Sequence, residues 1–410
     1  MTAQLFVLEI GRAMHALGSP SYRVEDTMDA CSRALGLEGA FFSTPTAIFA
    51  SLGRVGSEPK TSLLRVVPGD QDLARLAELY AIRDDVVLGM TTPERGLLRV
   101  QEVLRDARPL RPQIEVLAYA LAGGGAGVLF GGSAVDVGVA AAAGLGVGLL
   151  SVVARWRPRL QDVQAPVACA AVAFVVHMLA ATGVRLHVPL TTIASLVVLL
   201  PGLTFTTALA ELAIKHLSSG SARLLGTLAV LLTMAIGVGI GDRCAEMLTG
   251  KVPPIAPAPL PWGWHFAGLL ATWLAYHVLL RGTRQQAPWV LMAVAIGYGG
   301  ARLGRESLGP ELGAFVGALL VTVAGNLYAR WRRRPAAVVR TPGLLLLVPG
   351  SLGFQSLTAA VAGDFAGSMP FVFQMLLVGG SIVAGLLIAG VLLPPPLDVE
   401  PDSRRKAAAW

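Results

Sequence analysis

Leu199-Leu200-Pro201-Gly202-Leu203 and Leu347-Val348-Pro349-Gly350-Ser351 stand 148 residues apart, each inside a long apolar stretch. Proline has no amide hydrogen and its ring clashes with the preceding helical turn, while glycine relaxes the backbone further. Each pair therefore predicts a kinked or broken helix. Pro201 lies 13 residues after Val188 and 14 before Lys215, about 20 Å each way at 1.5 Å per residue. Pro349 lies 10 residues after Val339 and 13 before Ala362. Both breaks are expected near the middle of a membrane, where freed carbonyls must find a partner in packed protein or in a hydrated cavity. An ordinary proline kink packed against its neighbours is the competing reading.

The rest of the chain supports a membrane setting. Hydrophobic residues make up 54%, charged residues 14%, and the mean hydropathy is +0.63. A soluble domain is nearer one quarter charged, so most of this chain does not face water. Residues 1–113 hold 13 of the 33 Lys and Arg, which separates a soluble N-terminal domain from the apolar remainder of the chain. Ten apolar runs suit spanning helices: 114–132, 135–154, 165–183, 188–215, 222–241, 262–280, 288–302, 312–329, 339–362 and 371–393. With the N-terminal domain inside, the inner joints and the tail hold 15 Lys and Arg and the outer joints 5. Positive charge is retained in the cytoplasm, so both termini are expected there.

Each Pro-Gly falls in the fourth span of a five-span unit. Because five is odd, the second unit enters the membrane upside down, as in the inverted repeats of secondary transporters. The expected organisation is a cytoplasmic α/β domain (1–113), two inverted five-helix repeats (114–245 and 262–393) and a cytoplasmic tail (394–410). Beyond the first break, Thr204, Thr207 and Glu211 share one helical face; beyond the second, Ser351, Gln355 and Thr358 do so. With Pro201, Gly202, Pro349 and Gly350 they are the candidate substrate-binding residues, suited to a small zwitterion that carries a hydroxyl. Such hydroxyls also bond back to their own helix. Glu211, His177 and His277 are ionisable groups in or beside spans and the candidates for proton coupling. For Glu211, an i,i+4 ion pair with Lys215 is the plainer reading.

In the N-terminal region, helices are expected at 4–17, 23–36, 70–88 and 93–107, and strands at Phe41–Phe49 and Ser62–Val67. Tyr22, Arg23, Glu25 and Asp26 cluster at a helix start, where the carboxylates suit capping as well as ligand binding. There is no phosphate loop, no nucleophile elbow and no metal-ligand spacing, so no cofactor, metal or enzymatic activity is expected. Cys31, Cys169 and Cys244 are scattered and form no framework. The basic residues are not interleaved with aromatics, which argues against nucleic acid.

The sequence resembles the bacterial threonine/serine exporter family. Gly18-Ser19-Pro20-Ser21-Tyr22-Arg23-Val24-Glu25, Leu200-Pro201-Gly202 with the run 208–221, and Leu347-Val348-Pro349-Gly350 carry the resemblance, which extends over nearly the whole chain. It implies a multi-pass protein of the bacterial inner membrane that exports threonine and serine by antiport against protons. Its expected partners are the amino acid, protons and the bilayer; a homo-oligomer is left open. The alternatives are an exporter of another small metabolite, or a membrane-anchored protein that binds or hydrolyses one.

Overall fold

The computed structural model describes residues 2–54, 56–106, 109–256 and 258–394. The expected tail therefore lies, from residue 395 onward, outside the described residues. The N-terminal unit runs α1 (Thr2–Ala16), α2 (Ser21–Ala34), β1 (Leu37–Thr44), β2 (Ala47–Arg54), β3 (Lys60–Arg65), α3 (Leu73–Val87) and α4 (Pro93–Arg105). The strands form one antiparallel sheet in the order β1-β2-β3. Phe41–Phe49, expected as one strand, is two: Pro45-Thr46 turns the chain, and the Thr44 hydroxyl bonds both the amide and the carbonyl of Ala47 at 3.1 Å. Phe6, Ile10, Met28, Ile48 and Leu79 are fully buried in a core shared by the helices and the inner sheet face.

Helices then run almost without interruption: α5 (Pro112–Leu129), α6 (Ala134–Arg155), the single turn α7 (Pro158–Gln161), α8 (Gln164–Ala181), α9 (Val188–Ser195), α10 (Gly202–Ala213) and α11 (Leu217–Thr249). The second series is α12 (Trp264–Leu279), α13 (Ala287–Leu308), α14 (Pro310–Arg332), α15 (Ala337–Leu347), α16 (Gly350–Val361) and α17 (Phe365–Leu392). Among the described residues, six helical stretches are long and apolar enough to cross a membrane, seven if the bent pair α9–α10 is one span. This is fewer than the ten expected. Four glycines dilute α5, α12 has only 16 residues, and the last turns of α13 carry Arg302, Arg305 and Glu306. A span of about 20 apolar residues is the usual requirement.

Both Pro-Gly pairs break their helices in the same way. The residue before proline is sterically pushed out of the helical region. Leu200 (φ −68°, ψ 123°) and Val348 (φ −62°, ψ 138°) are accordingly extended. Pro201 and Pro349 then start α10 and α16. The 56° bend of the first span lies between Ser195 and Val197, just ahead of this break.

The N-terminal unit sits on the helices at two corners. At the first, between α10 and α11, Glu211 is fully buried. Its carboxylate accepts the Ser21 amide at 2.9 Å, the Ser219 hydroxyl at 2.8 Å and Arg223 Nε at 3.1 Å. A carboxylate facing the first amide of α2 also suits that helix dipole. At the second corner, between α12 and α13, the Leu73 amide donates to the Leu280 carbonyl at 2.9 Å and Gln286 Nε2 to the Leu73 carbonyl at 3.2 Å. Asp72 faces Arg281 at 3.6 Å. One docking point lies on each helical series.

Removing one member of a buried ion pair strands its partner, at about 3–5 kcal/mol. Glu211→Ala is expected to lower the melting temperature in detergent markedly, and Glu211→Gln less, because the amide oxygen still accepts a donor. An unchanged melting temperature for Glu211→Ala would show that the cluster contributes nothing.

Candidate functional site

The two breaks meet. A Cβ built on Gly350 would stand 3.1 Å from Gly202 Cα and 3.4 Å from Leu200 Cβ. A Cβ on Gly202 would stand 2.5 Å from Val348 Cγ2 and 3.3 Å from the Gly350 nitrogen. At Gly202 a Cβ would force Val348 to shift, and at Gly350 it would be tighter than nearly all real Cβ contacts. The first amides of a helix have no acceptor within it. The N-termini of α10 and α16, each with its positive dipole end, therefore converge on one place.

That place opens on a cavity of about 1610 Å³. Pro201, Gly202, Thr204 and Thr207 line it from the first break, and Pro349, Gly350, Ser351 and Gln355 from the second. Thr358 is not among the lining residues: its hydroxyl bonds the Phe354 and Gln355 carbonyls of its own helix, both at 3.0 Å. The cavity reaches Gly18, Ser19 and Asp70 of the N-terminal unit at one end and Phe130, His187, Arg305 and Glu311 at the other.

The three ionisable candidates lie off the cavity. Glu211 pairs with Arg223 rather than with Lys215, which turns the corner at φ 68°. His177 is 6% exposed between α8 and α11, its Nε2 at 3.2 Å from the Gly250 carbonyl and its Nδ1 at 3.8 Å from Asp242. His277 ends α12 against Gly282. None of the three has a place on the cavity wall.

Other polar groups line it instead. Arg155 Nη2 is 2.6 Å from Glu115 Oε2. The Ser151 hydroxyl donates to Tyr119 Oη at 3.0 Å and accepts from Gln164 Nε2. Gln374, Arg223 and His187 also contribute. Glu115 and Arg155 were legible as charges beside or within apolar segments; in the sequence Arg155 counts only toward orientation. At the N-terminal edge His15 donates from Nε2 to the Thr44 carbonyl at 2.9 Å, and burial holds its imidazole below its usual range. Burial chiefly pushes the Glu25 carboxyl up, against the Ser43 amide that it accepts at 2.7 Å.

Comparison with known proteins identifies the family. The family model ThrE, a threonine/serine exporter, matches residues 5–243. A second model, described as Threonine/Serine exporter, ThrE, matches residues 266–392. Among curated proteins the chain is similar to Pheromone-regulated membrane protein 10 of several yeasts. Identity is 23% with that of Debaryomyces hansenii, covering 96% of this chain and 42% of the relative. With that of Yarrowia lipolytica it is 27%, covering 88% and 31%. With that of Saccharomyces cerevisiae it is 23%, covering 95% and 54%. The chain thus spans about a third to a half of the length of these relatives. They are membrane proteins of yeasts, which overturns the expected bacterial inner membrane; a multi-pass membrane location stands. No solved structure matches. With both models covering nearly its whole length, the chain belongs to the threonine/serine exporter family.

Proposed function

We propose that this protein is a secondary transporter that exports threonine and serine by antiport against protons, with the crossing of its two Pro-Gly breaks as the substrate site. The observation that carries this reading is the contact of Gly202 with Gly350 at a cavity bordered by residues of both ends of the helical layer. Two helix N-termini in contact repel each other, an anion beside them offsets that repulsion, and the carboxylate of an amino acid fits that need. Thr207 and Gln355, which line the cavity from the two breaks, would hold the ammonium and hydroxyl groups. An unsatisfied backbone group in hydrocarbon costs several kcal/mol, so such breaks persist where water, protein or ligand satisfies them.

In this reading the chain has a cytoplasmic domain (1–113), two inverted five-span repeats (114–245 and 262–393) and both termini in the cytoplasm. The short or polar helices α5, α12 and α13 span with their neighbours as cover. Support comes from the matched breaks and from the 15:5 distribution of Lys and Arg.

Two outcomes check the proposal. In proteoliposomes, labelled threonine should exchange with internal threonine, and Gly202→Val should reduce that exchange roughly tenfold or more while the protein still inserts. A bulky Cβ at the crossing forces the two breaks apart. Normal exchange by Gly202→Val, or by Thr207→Val combined with Gln355→Leu, would remove the crossing from the substrate path. For topology, single cysteines in the joint 252–261 should label only from the face opposite to cysteines at Arg332–Arg334. Labelling of both from one face would sink the inverted repeat.

A further inference from the structure

His187 is a side chain that the transport reading leaves unused, and its setting is unusual. It is the N-cap of α9: its Nδ1 accepts the Leu190 amide at 3.1 Å. An imidazole accepting at Nδ1 is neutral, with its proton on Nε2. Its backbone is held separately. The His187 amide donates to Asp136 Oδ1 at 2.7 Å, and the Thr191 hydroxyl donates to the same oxygen at 2.8 Å. The other oxygen, Oδ2, accepts the Ser133 amide at 2.8 Å and the Ser133 hydroxyl at 2.7 Å. Asp136 thus pins the start of α9 to α6, while the half-buried ring of His187 lines the cavity near Phe130 and Pro189. α9 leads directly through a 3₁₀ turn (Val197–Leu199) to the break at Pro201.

We propose that His187 is a proton-responsive cap that couples protonation from the cavity end opposite the N-terminal unit to movement of the Pro201 break. This rests on the transport reading above. A proton taken from the water of the cavity adds to the Nδ1 lone pair, and the hydrogen bond from the Leu190 amide is lost with it. The new positive charge also faces the positive end of the α9 dipole. Both effects loosen the first turn of the half-helix whose other end is the break, and loss of the proton restores the cap. The charged and titratable groups on the surrounding elements are already engaged. On α6 Asp136 is saturated by four donors. On α5 Glu115 pairs with Arg155 of α6, and Tyr119 accepts from Ser151. α16 carries no charge. His177, the one histidine on α8, is held by Gly250 and Asp242. Arg185 stands two residues earlier in the chain, and Arg305 and Glu311 line the cavity from α13 and α14.

The test separates capping from titration. Asparagine is a good N-cap that does not titrate, and alanine neither caps nor titrates. The full chain in proteoliposomes is assayed for threonine exchange at equal pH and for flux driven by a pH gradient. His187→Asn should keep exchange near that of the wild type and lose driven flux by roughly tenfold or more, the size of a typical coupling. His187→Ala should lose both. Driven flux of His187→Asn at the wild-type level would overturn the proposal; so would loss of its exchange, which would make His187 a substrate contact or a structural residue. A second readout needs no substrate. On a Cys244→Ser background (Cys244 is the exposed cysteine), labelling of Leu200→Cys is followed against pH and normalised to unfolded protein. It should change with pH in the wild-type background and become flat in His187→Asn. A response retained in His187→Asn would overturn the proposal even if transport proved to be of another substrate. A wild type that exchanges no threonine yet keeps the pH response would instead strike the substrate reading alone.

Discussion

A proline inside an apolar helix leaves backbone groups without partners in a medium that supplies none, and this protein has two such breaks in contact. Gly202 and Gly350 have no side chains, so the chains cross with backbone against backbone. Much else depends on that crossing. Leu200 and Val348 are extended because each precedes a proline, so α9–α10 and α15–α16 each divide in two. The two new helix starts point at a common place, and the cavity runs past it. Side chains five residues further along, Thr207 after Gly202 and Gln355 after Gly350, are thereby brought to its wall.

The N-terminal unit is joined to this arrangement rather than hung from it. Its α2 rests on the corner beyond the first break, through Glu211, Ser219 and Arg223. Its α3 rests on the corner between α12 and α13. These corners belong to different helical series, so the unit contacts both. The first corner is buried and well hydrogen-bonded; at the second Arg281 is partly exposed. Exposed ion pairs are worth little, so the second corner is the weaker of the two.

The breaks were legible in the sequence because their cause is local: a proline acts on its own turn whatever surrounds it. The positions of Thr204, Thr207, Ser351 and Gln355 were legible for the same reason, since helical periodicity carries a face forward from a known start. Partners remote in sequence were not. Glu211 looked free to pair with Lys215 four residues on, but its donors are Arg223, across a corner, and Ser21, 190 residues away. His177 and His277 satisfied the rule that buried ionisable groups mark function, yet the rule says nothing about which side of a helix meets the cavity. His187 was passed over because it falls in a joint between spans, and its capping bond depends on the turn beyond it. The hairpin at Pro45-Thr46 was missed because apolar residues on both sides of Ser43-Thr44-Pro45-Thr46 were read as one strand, although a proline there marks a turn. The helices that fall short of the length and hydropathy of a span are those where glycine, shortness or terminal arginines intervene, as in α5, α12 and α13.

The central claim is that the crossing of the two breaks holds the substrate. A structure of the full chain in lipid nanodiscs with saturating threonine tests it most directly. The account predicts threonine beside the crossing of the two breaks, its carboxylate within hydrogen-bond distance of amides in the first turns of α10 and α16 and its hydroxyl toward Thr207 or Gln355. Threonine bound elsewhere in the cavity with no contact to either break, or no threonine bound at all, would contradict it.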